Sequence, residues 1–192
     1  MSVVPRTRAA VDRDAKVDEI VAAARSQLQE GGYSGLSIVG IARSLGLAQN
    51  AIYWYFPTKD HVFVAAVDRM LHEILEQKPR AGTPLRHVLW FADRLHEFQD
   101  LRVTMHDRAR DSEVVAAYEA DVIDLLRVLL SGSLSNTVPA AELDDVVDAL
   151  MALCDGVLLR SGLTAARRRR LIELGYRRLV GNGGSTKHRR GD

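Results

Sequence analysis

A single cysteine, Cys154, is the whole thiol content of the chain, and it stands in an apolar run. That count excludes a disulfide framework and a cysteine-based zinc site. No apolar run approaches the ~18–20 residues that a membrane-crossing helix needs. The opening "MSVVPRTRAAVDRDAK" lacks the apolar core of a signal peptide, so a cytoplasmic protein with no membrane partner is expected. An excess of one charge is also missing, since the net charge over 192 residues is only +1. Nucleic-acid binders are often strongly basic, so any DNA contact here has to come from a few well-placed groups. The near-neutral total hides an uneven spread. Residues 1–60 carry 7 Lys and Arg against 6 Asp and Glu, residues 61–160 carry 10 against 17, and residues 161–192 carry 9 against 2.

Catalytic and metal-binding patterns are absent too. There is no compelling Ser-His-Asp order, no glycine-rich phosphate loop, and no acidic pair that stands out from the many solvated carboxylates. His87, His96 and His106 lie nine and ten residues apart, which puts no two of them on one helical turn. An enzyme is not expected, nor a metal or other cofactor.

Strict apolar–polar alternation, the mark of strands, is hard to find, while apolar residues recur at helical spacing almost everywhere. Val17, Ile20, Val21, Ala24 and Leu28 make roughly 14–30 an amphipathic helix, closed by Gly31-Gly32. Ser37 opens a short helix through Leu45 as a favoured N-cap. Gly46 breaks it, and a third helix runs from about Ala48 to Tyr55. Pro57 lacks an N–H and biases Phe56 away from helical geometry, ending that helix. Thr58 caps a fourth, about 58–77, with Asp60 complementing the positive end of its dipole. "KPRAGTP" is a linker. Further helices are expected at roughly 84–99, 102–111, 114–132, 139–160 and 164–180. The fold class is all-α. A flexible arm (1–13) carrying Arg6 and Arg8, and a polar glycine-rich tail (181–192), would flank two domains, 14–57 and 58–180.

Aromatic residues are scarce at 6%, yet Tyr53, Trp54, Tyr55 and Phe56 stand in a row within "AQNAIYWYFPTKD". Tyr, Trp and Phe favour strands by propensity, but the surroundings overrule it. "LSIVGIARSLGLAQNAIYWYFPTKD" has two short helices around a glycine turn, Ala42 small at the crossing, and Ile41, Leu45, Leu47 and Ile52 as a shared core. This is helix-turn-helix spacing, in which the second helix enters the DNA major groove. With Ile52 as the buried anchor, Gln49, Asn50, Tyr53 and Trp54 face outward.

Residues 14–66, including "EIVAAARSQLQEGGYSGLSIVGIARSLGLAQNAIYWYFPTKDHVFVAAV", resemble the N-terminal domain of TetR-family transcriptional repressors. The resemblance implies that Ser37 caps the second helix and offers its hydroxyl to phosphate, and that Gln49 and Asn50 reach base edges. It implies that the Tyr53 hydroxyl and Lys59 contact phosphate, and that Trp54 packs on sugar, a thymine methyl or the neighbouring helix. Arg43, Tyr55 and Thr58 complete the candidate DNA-binding set. Tyr55 stands where the family usually has histidine, and Ala51 where it often has Ser, Thr or Gly.

For the rest of the chain the resemblance implies a ligand-binding and dimerisation domain, and "CDGVLLRSGL" is similar to the family's penultimate helix. Trp90, Phe91, Phe98, Met105, Tyr118 and Met151 are candidate pocket residues for an unidentified small-molecule effector. The helices 139–160 and 164–180 carry a broad apolar surface. Met151, Cys154, Leu158, Ile172, Gly175, Tyr176 and Leu179 are the candidate dimer interface, with Gly175 permitting close approach of a partner helix. A two-fold dimer would read a pseudo-palindromic operator. "ARRRR" at 166–170 is expected to be the exposed start of the last helix. The expectation is a ligand-responsive repressor acting as a homodimer on double-stranded DNA. Its rival is a DNA-binding adaptor with a filled core, and a small all-α enzyme stands behind both.

Overall fold

The computed structural model describes residues 8–181 and, within them, no strand. Its helices in chain order are α1 (Arg8–Gly35), α2 (Ile38–Ser44), α3 (Gln49–Tyr55), α4 (Lys59–Glu76), α5 (Pro84–Glu97), α6 (Gln99–Ala109), α7 (Glu113–Leu134), α8 (Leu143–Leu158) and α9 (Ala165–Gly181). The all-α expectation holds, and no helix is long and apolar enough to cross a membrane among the described residues.

The expected arm at 1–13 needs correction from residue 8 onward, where α1 has already begun. Ala9, Ala10 and Ala15 favour helix, and Lys16 bonds Glu19 one turn on at 2.6 Å. Arg6 and the tail beyond Gly181 lie outside the described residues. At its other end α1 does not stop at Gly31. Gly32 takes φ +60°, a value that glycine adopts without steric cost, and the chain kinks there before reaching Gly35. α8 starts and stops inside its expected span, and α9 is displaced by one residue toward the C-terminus. Residues 139–142 form a turn, because Pro139 and the Pro139 carbonyl–Glu142 N–H bond at 2.9 Å close the chain on itself before α8.

The chain divides into two units, residues 1–76 with 100–119, and residues 77–99 with 120–192. The first unit is built on Ile20, Val21, Ala24 and Leu28 of α1, Ile38, Ile41 and Ala42 of α2, Ile52 of α3, and Val62, Phe63 and Ala66 of α4, joined by Met105 and Val115. All are buried. The boundary expected at residue 57 falls inside this unit, because α4 packs along α1. Arg25 pairs with Glu73, and Arg69 with Asp18, along that seam.

The second unit closes around Val88 and Ala92 of α5, Leu134 and Val138, five residues of α8, and Ile172, Tyr176 and Val180 of α9. Arg169 of α9 donates to Asp93 of α5 through Nε at 2.8 Å and Arg168 to the Leu163 carbonyl at 2.8 Å, so two arginines of the 167–170 run are tied down. Here the expected dimer interface must be corrected. Leu158 and Ile172 are 1% exposed and Tyr176 is 8% exposed within the single chain, so a partner has nothing further to bury on them. Gly175 does mark a close approach, but an internal one: a Cβ there would overlap the Leu153 side chain of α8. The apolar breadth of α8 and α9 is consumed largely by each other and by α5. Met151, Cys154 and Leu179 are half-buried against this core.

Candidate nucleic-acid interface

The local chemistry of residues 37–59 builds a small surface on a rigid floor. The Ser37 Oγ accepts the Gly40 N–H at 3.1 Å, satisfying one of the free donors at the start of α2. Gln27 of α1 locks that cap from behind, its Oε1 accepting the Ser37 N–H at 2.8 Å. Gly46 at φ +65° turns the chain, and the Leu47 N–H returns to the Ala42 carbonyl at 2.8 Å. The turn therefore delivers Ala48 as the start of α3. Ala48 offers no side-chain cap, although its carbonyl accepts the Ala51 N–H at 2.9 Å.

In α3 only Ile52 is buried, and Phe56 beyond it seals the helix end against the core. Gln49, Asn50, Tyr53 and Trp54 are exposed, with Trp54 at 69%. Ser37, Arg43 and Thr58 are exposed as well, and Lys59 is half-buried. Tyr55 differs from its companions. It is half-buried and packed on the core, standing edge-on to Trp54 with ring centroids 5.1 Å apart. Its place is to support the face rather than to form it. The Thr58 Oγ1 lies 2.8 Å from His61 Nδ1 and accepts the His61 N–H at 3.4 Å, which caps α4 as expected.

Four residues at this face carry no signal in the local motif. Gln27 is the clamp on the α2 cap. Arg13 of α1 holds its guanidinium 5.4 Å from the Trp54 ring. Tyr33 donates its hydroxyl to Asp60 Oδ1 at 2.5 Å, and Arg108 of α6 donates to Asp60 Oδ2 at 2.8 Å. The Lys59 ammonium rests 4.1 Å from the Tyr33 ring centroid, within cation–π range. Burial by itself would raise the Asp60 carboxyl, but the bonds from Arg108, Tyr33 and Ser112 outweigh it and hold it below the usual carboxylate range. Desolvation lowers the Lys59 ammonium, with Asp60 opposing and Arg108 reinforcing.

Burial, then the bond to Asp60, pushes the Tyr33 hydroxyl up to about 12. A group whose pKa rises on folding stabilises the fold at pH below its unfolded value, and that contribution disappears as pH climbs through its folded value. Stability is therefore expected to fall between about pH 10 and about pH 12, and Tyr33→Phe should remove this component of the fall. Urea unfolding of both proteins across that window checks it; identical pH profiles would refute the assignment.

The residues proposed from sequence for the pocket are divided between the units. Met105 is buried in the first core and Tyr118 packs on it. Trp90 and Phe91 of α5 meet edge to face at 5.1 Å, Phe98 caps the end of that helix, and Met151 packs on the second core.

Residues 20–66 match the family model described as bacterial regulatory proteins, tetR family. Over these residues the chain is similar to the TetR family. The match covers the later part of α1, all of α2 and α3 and the first part of α4, including the whole exposed face of α3. Among curated relatives, the HTH-type transcriptional regulator Rv1816 of Mycobacterium tuberculosis is 27% identical over 118 residues, which are 62% of this chain and 38% of that protein. The chain thus aligns with less than half the length of the curated relatives it matches. Among solved structures, a TetR transcription regulator from Haloarcula marismortui aligns with a TM-score of 0.65 at 19% identity, over 90% of this chain and 98% of its own. A putative transcriptional regulator from Saccharomonospora viridis, in complex with choline, aligns with a TM-score of 0.66 at 14% identity, over 83% and 94%. The likeness in fold to these structures therefore extends beyond the matched residues into α5–α9.

Proposed function

We propose that this chain is a transcriptional repressor that binds a pseudo-palindromic DNA operator as a homodimer and is released by a small-molecule effector. The exposed face of α3 carries the proposal: a helix anchored by Ile52 alone presents Gln49, Asn50, Tyr53 and Trp54 together. A tryptophan left 69% exposed has a large apolar surface in water, and such surfaces mark interaction sites. Gln49 and Asn50 have the amide geometry that pairs bidentately with adenine. Ser37, Arg43, Tyr53, Thr58 and Lys59 supply hydroxyls and cations for phosphate, which fix register without choosing sequence.

Dimerisation follows from the two-fold symmetry of most operators and their readers. With Leu158, Ile172, Gly175 and Tyr176 taken by the chain's own core, the surface left for a partner consists of Met151, Cys154 and Leu179 with the exposed Leu159 and Leu174. For the effector, the paired rings of Trp90 and Phe91 in the second unit are the contact we favour. Choline held by a regulator of the same architecture supports a small organic ligand as the class. An effector releases DNA only by binding the DNA-free arrangement more tightly, since equal affinity shifts nothing.

Two substitutions separate positioning from reading. Lys59→Ala is expected to weaken binding about equally on all duplexes and to make the log–log salt slope shallower by about 0.9. Asn50→Ala is expected to relax preference at one base pair, at a cost of about 1–3 kcal/mol. Fluorescence anisotropy on matched and scrambled duplexes over a salt series measures both. An unchanged slope in Lys59→Ala would remove that residue from the interface.

A further inference from the structure

We propose that Arg108 of α6 is a positioning residue for the DNA contact of Lys59: it occupies the Asp60 carboxylate and so leaves the neighbouring Lys59 ammonium unneutralised at the start of α4. This rests on the proposal that Lys59 meets phosphate.

Three charged side chains and one phenol meet here, two cations around one carboxylate. Asp60 follows Lys59 in the chain and is the nearest anion it could pair with. Asp60 is instead spoken for on both oxygens, by Tyr33 on Oδ1 at 2.5 Å and by Arg108 on Oδ2 at 2.8 Å, with the Ser112 side chain as a third partner. Its side chain is only 13% exposed and that of Arg108 31%, so water competes weakly for this bond. Arg108 is further aligned by Asp111, one turn on, at 3.8 Å. Lys59 is left above the face of the Tyr33 ring at 4.1 Å, and Phe63 braces that ring edge-on at 5.1 Å. A ring face attracts an ammonium without cancelling its charge, whereas a carboxylate cancels it.

Removing the guanidinium leaves Asp60 with only the neutral hydroxyls of Tyr33 and Ser112, its charge uncompensated beside an ammonium one residue away. The two then pair, and a lysine already paired gives little counterion release when phosphate arrives. Arg108→Ala should therefore behave in DNA binding like Lys59→Ala, although Arg108 itself need touch no DNA. Replacing Asp60 in the same protein should undo the damage, because an amide cannot neutralise Lys59.

The test measures affinity for a labelled random-sequence duplex by anisotropy over a salt series, with circular dichroism melting of each protein alongside. Lys59→Ala and Arg108→Ala are each expected to have slopes shallower than wild type by about 0.9, or about a 3.5-fold smaller loss of affinity for a fourfold rise in salt. Arg108→Ala/Asp60→Asn is expected to recover the wild-type slope even where its melting temperature stays low. If Arg108→Ala does not fold, Arg108→Gln, which keeps the length and loses the charge, is read the same way. A wild-type slope in Arg108→Ala overturns the proposal. So does a double variant that stays as shallow as Arg108→Ala, since Arg108 would then be a phosphate contact itself or a purely structural one. A wild-type slope in Lys59→Ala overturns instead the phosphate contact underneath, whatever Arg108 does.

Discussion

Phe63→Ala should cost about 3–5 kcal/mol of stability, the usual range for deleting a fully buried phenyl ring. Phe63 is 0% exposed and stands on α4, one turn after Lys59, so the two side chains share a side of that helix. Its ring meets Tyr33 edge-on with an interplanar angle of 82°. Its loss opens a cavity under the ring that carries Lys59 and under the hydroxyl that holds Asp60. Small domains have only about 5–15 kcal/mol in hand, so the first unit should lose much of its cooperative melt and its DNA affinity together. Phe63→Leu, which keeps most of the volume, should cost under about 1.5 kcal/mol if it behaves as a volume-conserving swap. Urea unfolding followed by circular dichroism gives both numbers. A cost below about 1 kcal/mol for Phe63→Ala would mean that this ring is not the keystone of the unit.

Gly175→Leu is the second large effect. A Cβ at position 175 would overlap the Leu153 side chain within the same chain, and leucine adds three carbons beyond it. Overpacking costs typically about 1–3 kcal/mol and sometimes more. Here, between two helices whose neighbours Leu150, Val157 and Ile172 are all buried, the upper end or beyond is expected. The second unit should unfold, not merely dissociate from a partner. Sedimentation and thermal melting on the same sample separate the two outcomes. A well-folded monomer would return Gly175 to a subunit interface and contradict the internal packing described above.

The two substitutions also mark where the sequence is transparent and where it is opaque. Ser37, Gly46 and Pro57 each impose a local conformation through a side-chain oxygen, an absent Cβ and an absent N–H, so α2, α3 and the turn between them are visible without coordinates. Ile52 as anchor and Gln49, Asn50, Tyr53 and Trp54 as an outward face follow from helical spacing. Tyr55 is ambiguous by spacing, because an aromatic at the end of a short helix satisfies either side. Non-local contacts left no trace: Arg108 meets Asp60 across 48 residues, and Tyr33 meets it across 27. In α8 and α9, apolar spacing states how wide the buried surface is but not whose atoms cover it. Intramolecular packing and a dimer interface demand the same residues, and so spacing points Ile172, Gly175 and Tyr176 at a partner while the chain's own core covers them. The start of α1 is not legible because "RAAVDRDAK" has no apolar periodicity, although alanine and charged pairs extend a helix without any.

Selection of bound duplexes from a random DNA pool tests the central claim most directly, using wild type beside a Gln49→Ala/Asn50→Ala variant. Enrichment of one motif with two related half-sites about one helical turn apart is expected for wild type, with the variant losing preference at the matching positions in both halves while still binding DNA through its phosphate contacts. No enrichment at low salt, or a motif left intact by the double substitution, would contradict the assignment of α3 as the element that reads sequence.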